Sequence, residues 1–111
     1  NALKFEAGSK QVLEITALGA SVDLILKTRV VTIEAEVIRL SNKLSSGLRH
    51  LGFEVHHNHS SIVNFIPRHN SAEKLKSIQC NFAVRGPGLR LSPHAFNSDE
   101  EIENVLNILS V

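Results

Sequence analysis

IEAEVIRLSNKLSSGLRHLGFEVHH, Ile33 to His57, changes its periodicity once, at Gly52, and that change decides the fold. Before the glycine, Ile33, Val37, Leu40, Leu44, Leu48 and Leu51 recur at steps of three and four, which predicts a helix from about Val30 to Leu51. At ~1.5 Å rise per residue such a helix is on the order of 30 Å long, a span able to connect two lobes. Gly52 supplies the left-handed residue that ends it. After the glycine, Phe53, Val55 and His57 alternate with Glu54 and His56, the period of a strand with one face turned to a core.

Working outward from that switch, Val12, Ile15, Leu18, Val22, Ile25 and Leu26 predict an earlier helix over Gln11 to Leu26, with Gly19 as a close-packing point. Downstream, the β-branched run SIVNFIP, closed by Pro67, is a second strand and forms a hairpin with the first. NSAEKLKSIQ offers Asn70 as N-cap with Glu73 three residues on, and Ala72, Leu75 and Ile78 as the apolar stripe of a short helix. NFAVR and GLRLS are two further strands around the turn Gly86-Pro87-Gly88. Ser98 and Glu101 form a capping box that opens a last helix, with Ile102, Val105, Leu106 and Leu109 facing inward. The expected class is α+β, with long N-terminal helices packed on a small, mostly antiparallel sheet.

Composition narrows the function. In 111 residues, 12 basic and 11 acidic side chains leave a formal charge of +1, so no basic field draws the chain to nucleic acid or an anionic membrane. Tyr and Trp are absent, which removes the stacking platforms of single-strand binders. The apolar run Ile15 to Val22 is too short to cross a bilayer, and no stretch has the order of a signal peptide. With one cysteine, Cys80, and no internal disulfide to form, the expected location is the cytoplasm. Asn1-Ala2, with no initiator Met, reads as the remnant of a tag on an excised piece.

One charge is out of place. If Leu89 and Leu91 point into the core, alternation sends Gly88, Arg90 and Ser92 to the opposite face, and Arg90 stands over an open surface. An arginine there either lays its stem on the sheet and pairs with an acid of its own chain, or holds a planar charged fork ready for a carboxylate.

LRLSPHAFNSDEEIENVLNIL closely resembles the C-terminal signature of the class V aminotransferase family, with Phe96 where that family usually has Tyr. KFEAGS, Lys4 to Ser9, is similar to a second element of the same family, and the two motifs with the long helix between them span essentially the whole chain. The resemblance implies the C-terminal part of a pyridoxal 5'-phosphate enzyme of the aspartate aminotransferase fold type. Residues 1–28 are then the helical segment at the large-domain boundary, and 29–111 the small domain. It implies that Arg90 binds the α-carboxylate of an amino-acid or keto-acid substrate. Gly8 and Ser9 would lie near the cofactor phosphate of the neighbouring subunit of a homodimer, where backbone N–H and hydroxyl groups suit an anion.

That chemistry needs a Schiff-base lysine, and none of Lys4, Lys10, Lys27, Lys43, Lys74 and Lys76 stands in the family's setting for one. The chain alone is therefore expected to be inactive and to carry no bound cofactor. Two alternatives stay open: a non-catalytic module that binds a small carboxylate or a protein, and a fragment of a cysteine desulfurase or selenocysteine lyase. Cys80 falls at the end of a predicted helix and suits a buried, inert thiol better than a persulfide carrier on a mobile loop. VHHNH places His57 and His59 on one face of a strand, but with no adjacent carboxylate or cysteine it reads as a hairpin tip and not a metal site. His94, inside the signature, is expected to pack beside the arginine strand or to donate to a backbone carbonyl. Separated from a large domain, the N-terminal helices would expose apolar surface and drive self-association.

Overall fold

The structure is a computed structural model and describes Gly8 and residues 11–110. Four helices and four strands follow one another as α1 (Val12–Thr28), α2 (Val30–His50), β1 (Val55–His57), β2 (Val63–Phe65), α3 (Ser71–Ser77), β3 (Ala83–Arg85), β4 (Gly88–Leu91) and α4 (Asp99–Ser110). The class is α+β, with the element order the sequence predicts. Contacts divide the chain into two units, one reaching to Thr32 and the other running from Ile33 onward.

In the first unit, α1 is apolar around most of its circumference and has no buried residue. Val12, Leu13, Ile15, Leu18, Leu24 and Leu26 are all exposed. Thr16, Ser21 and Thr28 turn their hydroxyls onto the carbonyl oxygens one turn back, which leaves little polar surface on the helix. Among the described residues no helix is long and apolar enough to cross a membrane.

The second unit has two layers. The sheet is antiparallel throughout, in the order β1-β2-β4-β3. Its inner face carries Val63, Phe65, Leu89 and Leu91, which are buried against Leu40, Leu44 and Leu48 of α2, Leu75 of α3, and Ile102, Val105 and Leu109 of α4. The step of four along α2 and of three and four along α4 is what brings these side chains to one stripe on each helix. Phe53 and Phe65 meet edge to face, with ring centroids 5.3 Å apart. Gly47 lets α2 and α4 come close, since a Cβ there would stand 2.7 Å from Leu106 Cδ2.

The stops that position the strands are local. At the end of α2, Gly52 takes φ 79, its N–H donates to Arg49 O at 2.8 Å, and Phe53 N–H donates to Leu48 O at 3.0 Å. Arg68 then caps the same end, donating to the carbonyl oxygens of Leu51 and Gly52, each at 2.9 Å, with its guanidinium 4.4 Å above the Phe53 ring. The Ser98 capping box forms as predicted: Glu101 N–H donates to Ser98 Oγ at 3.1 Å, and Ser98 N–H to Glu101 Oε2 at 2.8 Å. Gly86 takes φ 56 ahead of Pro87 in a two-residue hairpin connection, the combination that suits a type II′ turn.

At α3 the predicted cap differs. Asn70 occupies the N-cap position but lies in the left-handed region at φ 66 and makes no side-chain cap. The buried Ser71 hydroxyl instead accepts the Arg68 N–H at 3.0 Å, because the turn after Pro67 brings that amide within reach of position 71 and not of position 70.

Candidate functional site

The outer face of the sheet has no helix of the second unit on it, and the strand pairing fixes which residues share it. Opposite residues in an antiparallel pair point to the same side. His56 is opposite Asn64, Asn64 opposite Arg90, and Arg90 opposite Ala83, so these four form one row across the sheet. In the adjoining row, Arg85 is opposite Gly88. Glu54 accepts the Ile66 N–H at 2.9 Å and continues that row toward the β1 edge.

Arg90 is therefore where alternation puts it: partly buried, on the open face, with Leu89 and Leu91 buried on the other. Among the described residues it has no hydrogen bond and no ion pair. The acid on this face, Glu54, lies within 3.3 Å of His56 Nε2. It sits two strands from Arg90 and one row away, which at ~4.8 Å per strand spacing is roughly 10 Å or more, about one Debye length in physiological salt. Arg85 turns back to its neighbour, donating to Val84 O at 3.0 Å. Across the sheet Arg90 is flanked by Asn64 on β2 and by the small Ala83 on β3, and Gly88, two residues before it on the same face, adds no side chain.

Asn64 is the residue that sequence reasoning missed. Its Oδ1 is buried and has no hydrogen-bond partner among the described residues. The amide lies against Gly88, where an added Cβ would stand 2.9 Å from Asn64 Cγ and 3.1 Å from Phe65 O. The signal was present in SIVNFIP, since a polar residue between Val63 and Phe65 in a strand must face away from their core.

The remaining candidates fall elsewhere. Ser9 lies outside the described residues, and Gly8 is exposed with open space around it. His57 is held on the helix side, Nδ1 3.1 Å from Ile62 O and Nε2 3.0 Å from Asn42 Oδ1. His59 sits at φ 38 in the β1–β2 loop. Among the described residues no group of three or more His, Cys, Asp or Glu is placed to hold a metal ion. His94 stacks on the exposed Phe96 with centroids 4.5 Å apart, and its backbone N–H donates to Asn97 Oδ1 at 2.8 Å. Asn97 also donates to Glu101 Oε2 at 3.1 Å, so the residues from His94 to Glu101 lock the turn from β4 into α4.

Cys80 follows α3 and lines an open groove of about 730 Å³ between the α3–β3 connection and α4, with Leu44, Ile78, Asn97, Asn104 and Ile108 among its walls. Burial pushes the thiol above its ordinary pKa. Its contact is with Asn81 O at 3.8 Å, and among the described residues no cation acts to lower its pKa. None of the described lysines, Lys27, Lys43, Lys74 and Lys76, lies on a strand. Lys43 is engaged by Asp99 and Glu103, each at 2.7 Å. Compared with known proteins, the chain matches no protein-family model, and no curated protein gives a significant match.

Proposed function

We propose that the chain is the C-terminal part of a pyridoxal-phosphate enzyme of the class V aminotransferase type, and that Arg90 grips the α-carboxylate of its amino-acid or keto-acid substrate. What supports the reading is one observation: a partly buried guanidinium on the sheet face that no helix of the second unit covers, with no acid or acceptor among the described residues engaging it. A charge-assisted fork of this kind gains most from a carboxylate that takes two parallel hydrogen bonds, and five donors with no acceptor suit that ligand and not a cation.

The cofactor itself does not fit the described residues. No strand carries a lysine, and a group that needs a Schiff-base amine and an acid for its ring nitrogen finds neither beside Arg90. In this reading those groups belong to the rest of the polypeptide, Gly8 and Ser9 approach the phosphate held by a neighbouring subunit, and the enzyme is a cytoplasmic homodimer. The exposed apolar side chains of α1 then pack on the large domain. A desulfurase fits less well, because a persulfide carrier works as a thiolate and the half-buried Cys80 is shifted the other way.

The test is made on the full-length gene product. An absorbance band of a protein-bound Schiff base, followed by turnover of an amino-acid panel, is the expected result. Arg90→Ala in that protein should weaken carboxylate substrates by ~2–4 kcal/mol, the scale for losing a charge-assisted bidentate contact, while the absorbance band persists. Unchanged affinity removes the clamp. A coding sequence with no cofactor domain ahead of this chain would instead favour a binding module without cofactor.

A further inference from the structure

The row His56–Asn64–Arg90–Ala83 contains a second polar group that no described residue satisfies. Asn64 and Arg90 are directly opposed across β2 and β4, so their Cα atoms are ~4.5–5.5 Å apart and their side chains leave the sheet together. The Asn64 carbonyl end is shut away from solvent against Gly88, and no described group donates to it. No hydrogen bond engages its Nδ2 within the described residues either, which leaves the two amide hydrogens as the groups free to meet a ligand. A buried amide oxygen without a donor carries an uncompensated desolvation cost, and the wedge against Gly88 holds the side chain in place.

We propose that Asn64 is the second half of the carboxylate site: both carboxylate oxygens take the Arg90 fork in two parallel hydrogen bonds, and an Asn64 Nδ2 hydrogen donates to one of them. This rests on the reading of Arg90 given above and extends it from one residue to a donor pair on adjacent strands. The ligand class is a small mono- or dicarboxylate presented end-on. His56 continues the row on the far side of Asn64, Ala83 and Gly88 leave the floor around the arginine bare, and the Arg85 guanidinium in the next row adds positive potential without reaching in. Glu54, the acid of this face, stands 3.3 Å from His56 Nε2 and two strands away from Arg90. A geometry with donors only, on two neighbouring rigid strands, fixes the plane of the carboxylate as well as its position.

The experiment titrates the 111-residue chain with sodium acetate and with L-alanine at constant ionic strength kept by sodium chloride, and follows the Arg90 Nε–H and Asn64 side-chain NH₂ resonances. Both sets should move together and saturate. Asn64→Ala should weaken the binding about tenfold, the low end of the scale for one hydrogen bond to a charged group. Asn64→Asp, nearly the same shape, should abolish it by placing an internal carboxylate on Arg90. Arg90→Ala should abolish it as well. If Arg90 responds in the native chain, and Asn64→Ala and Asn64→Asp both bind as the native chain does, the role of Asn64 is overturned and the arginine reading stands. If neither resonance moves in the native chain, the arginine reading falls and takes this inference with it.

Discussion

The side-chain amide of Asn64 on β2 lies over Gly88 on β4, in space that a Cβ on residue 88 would need. Glycine at 88 is thus set by what faces it and not by its backbone angles. Gly88→Ala should destabilise the fold by about 1–3 kcal/mol, the usual scale of overpacking. Adding Asn64→Ala should return about 1 kcal/mol of that, because the two positions share one volume. The Phe65 carbonyl, 3.1 Å from the added carbon, limits the rescue. Urea unfolding of the two single variants and the double variant measures the coupling. Strictly additive losses would show that the amide does not press on the glycine.

Two arginines of this small domain make opposite predictions. Arg68 donates to two carbonyl oxygens at the end of α2 and covers the Phe53 ring, so Arg68→Ala should cost about 1–2 kcal/mol. Arg90 has no hydrogen bond or ion pair among the described residues, and Arg90→Ala should leave stability within ~0.5 kcal/mol of the native chain. Equal and large losses in urea unfolding for both variants would mean that Arg90 has a structural partner, and would remove the reason to assign it a ligand.

Much of this was legible in the sequence because it depends on local periodicity. The switch at Gly52, the alternation that exposes Arg90 and the Ser98–Glu101 box each follow from neighbours a few residues apart. What escaped depends on contacts across strands or on competition between adjacent groups. Asn64 gains its meaning from Arg90 and Gly88, 26 and 24 positions later in the sequence. At α3, Asn70 and Ser71 are both good capping residues, and only the path of the chain after Pro67 decides which hydroxyl or amide meets a free N–H. The groove beside Cys80 likewise arises from three separated segments, and no single stretch announces it.

The ion-pair network between α2 and α4 predicts how stability responds to pH. Hydrogen bonds from Arg39 first, and from Lys43 second, hold the Asp99 carboxyl well below the ordinary carboxylate range. Arg39 acts likewise on Glu36, and bonds to Asp99 and Glu103 raise the Lys43 ammonium. A carboxylate with a lowered folded pKa contributes stability above its unfolded value, ~3.9 for Asp, and loses it as pH falls through the folded value. A raised lysine contributes below ~10.4 and loses it as pH rises. The melting temperature should therefore be flat between these limits and fall in acid. Because every member is at the surface, high salt should shrink the acid slope, and Asp99→Asn should flatten it further at low salt. A slope unaffected by both salt and the substitution would place the acid sensitivity elsewhere.

The end of α3 offers a stabilising change. Gln79 sits at φ 57, donates its N–H to Lys76 O at 2.9 Å, and is followed by Cys80 N–H bonded to Leu75 O at 2.9 Å. That pattern closes a helix through one left-handed residue, a conformation in which a side chain is strained and glycine is not. Gln79 is exposed, so no packing is lost on removing it. Gln79→Gly should raise stability by about 0.5–1 kcal/mol, the left-handed strain relieved exceeding the greater freedom glycine gives the unfolded chain. Gln79→Ala keeps the strain and should gain nothing, and Gln79→Asn should fall between, since asparagine tolerates this region better than most residues. Thermal unfolding orders the three variants. An alanine variant as stable as the glycine variant would show that the left-handed turn stores no strain and that the side chain, not the backbone, sets the energy of this end.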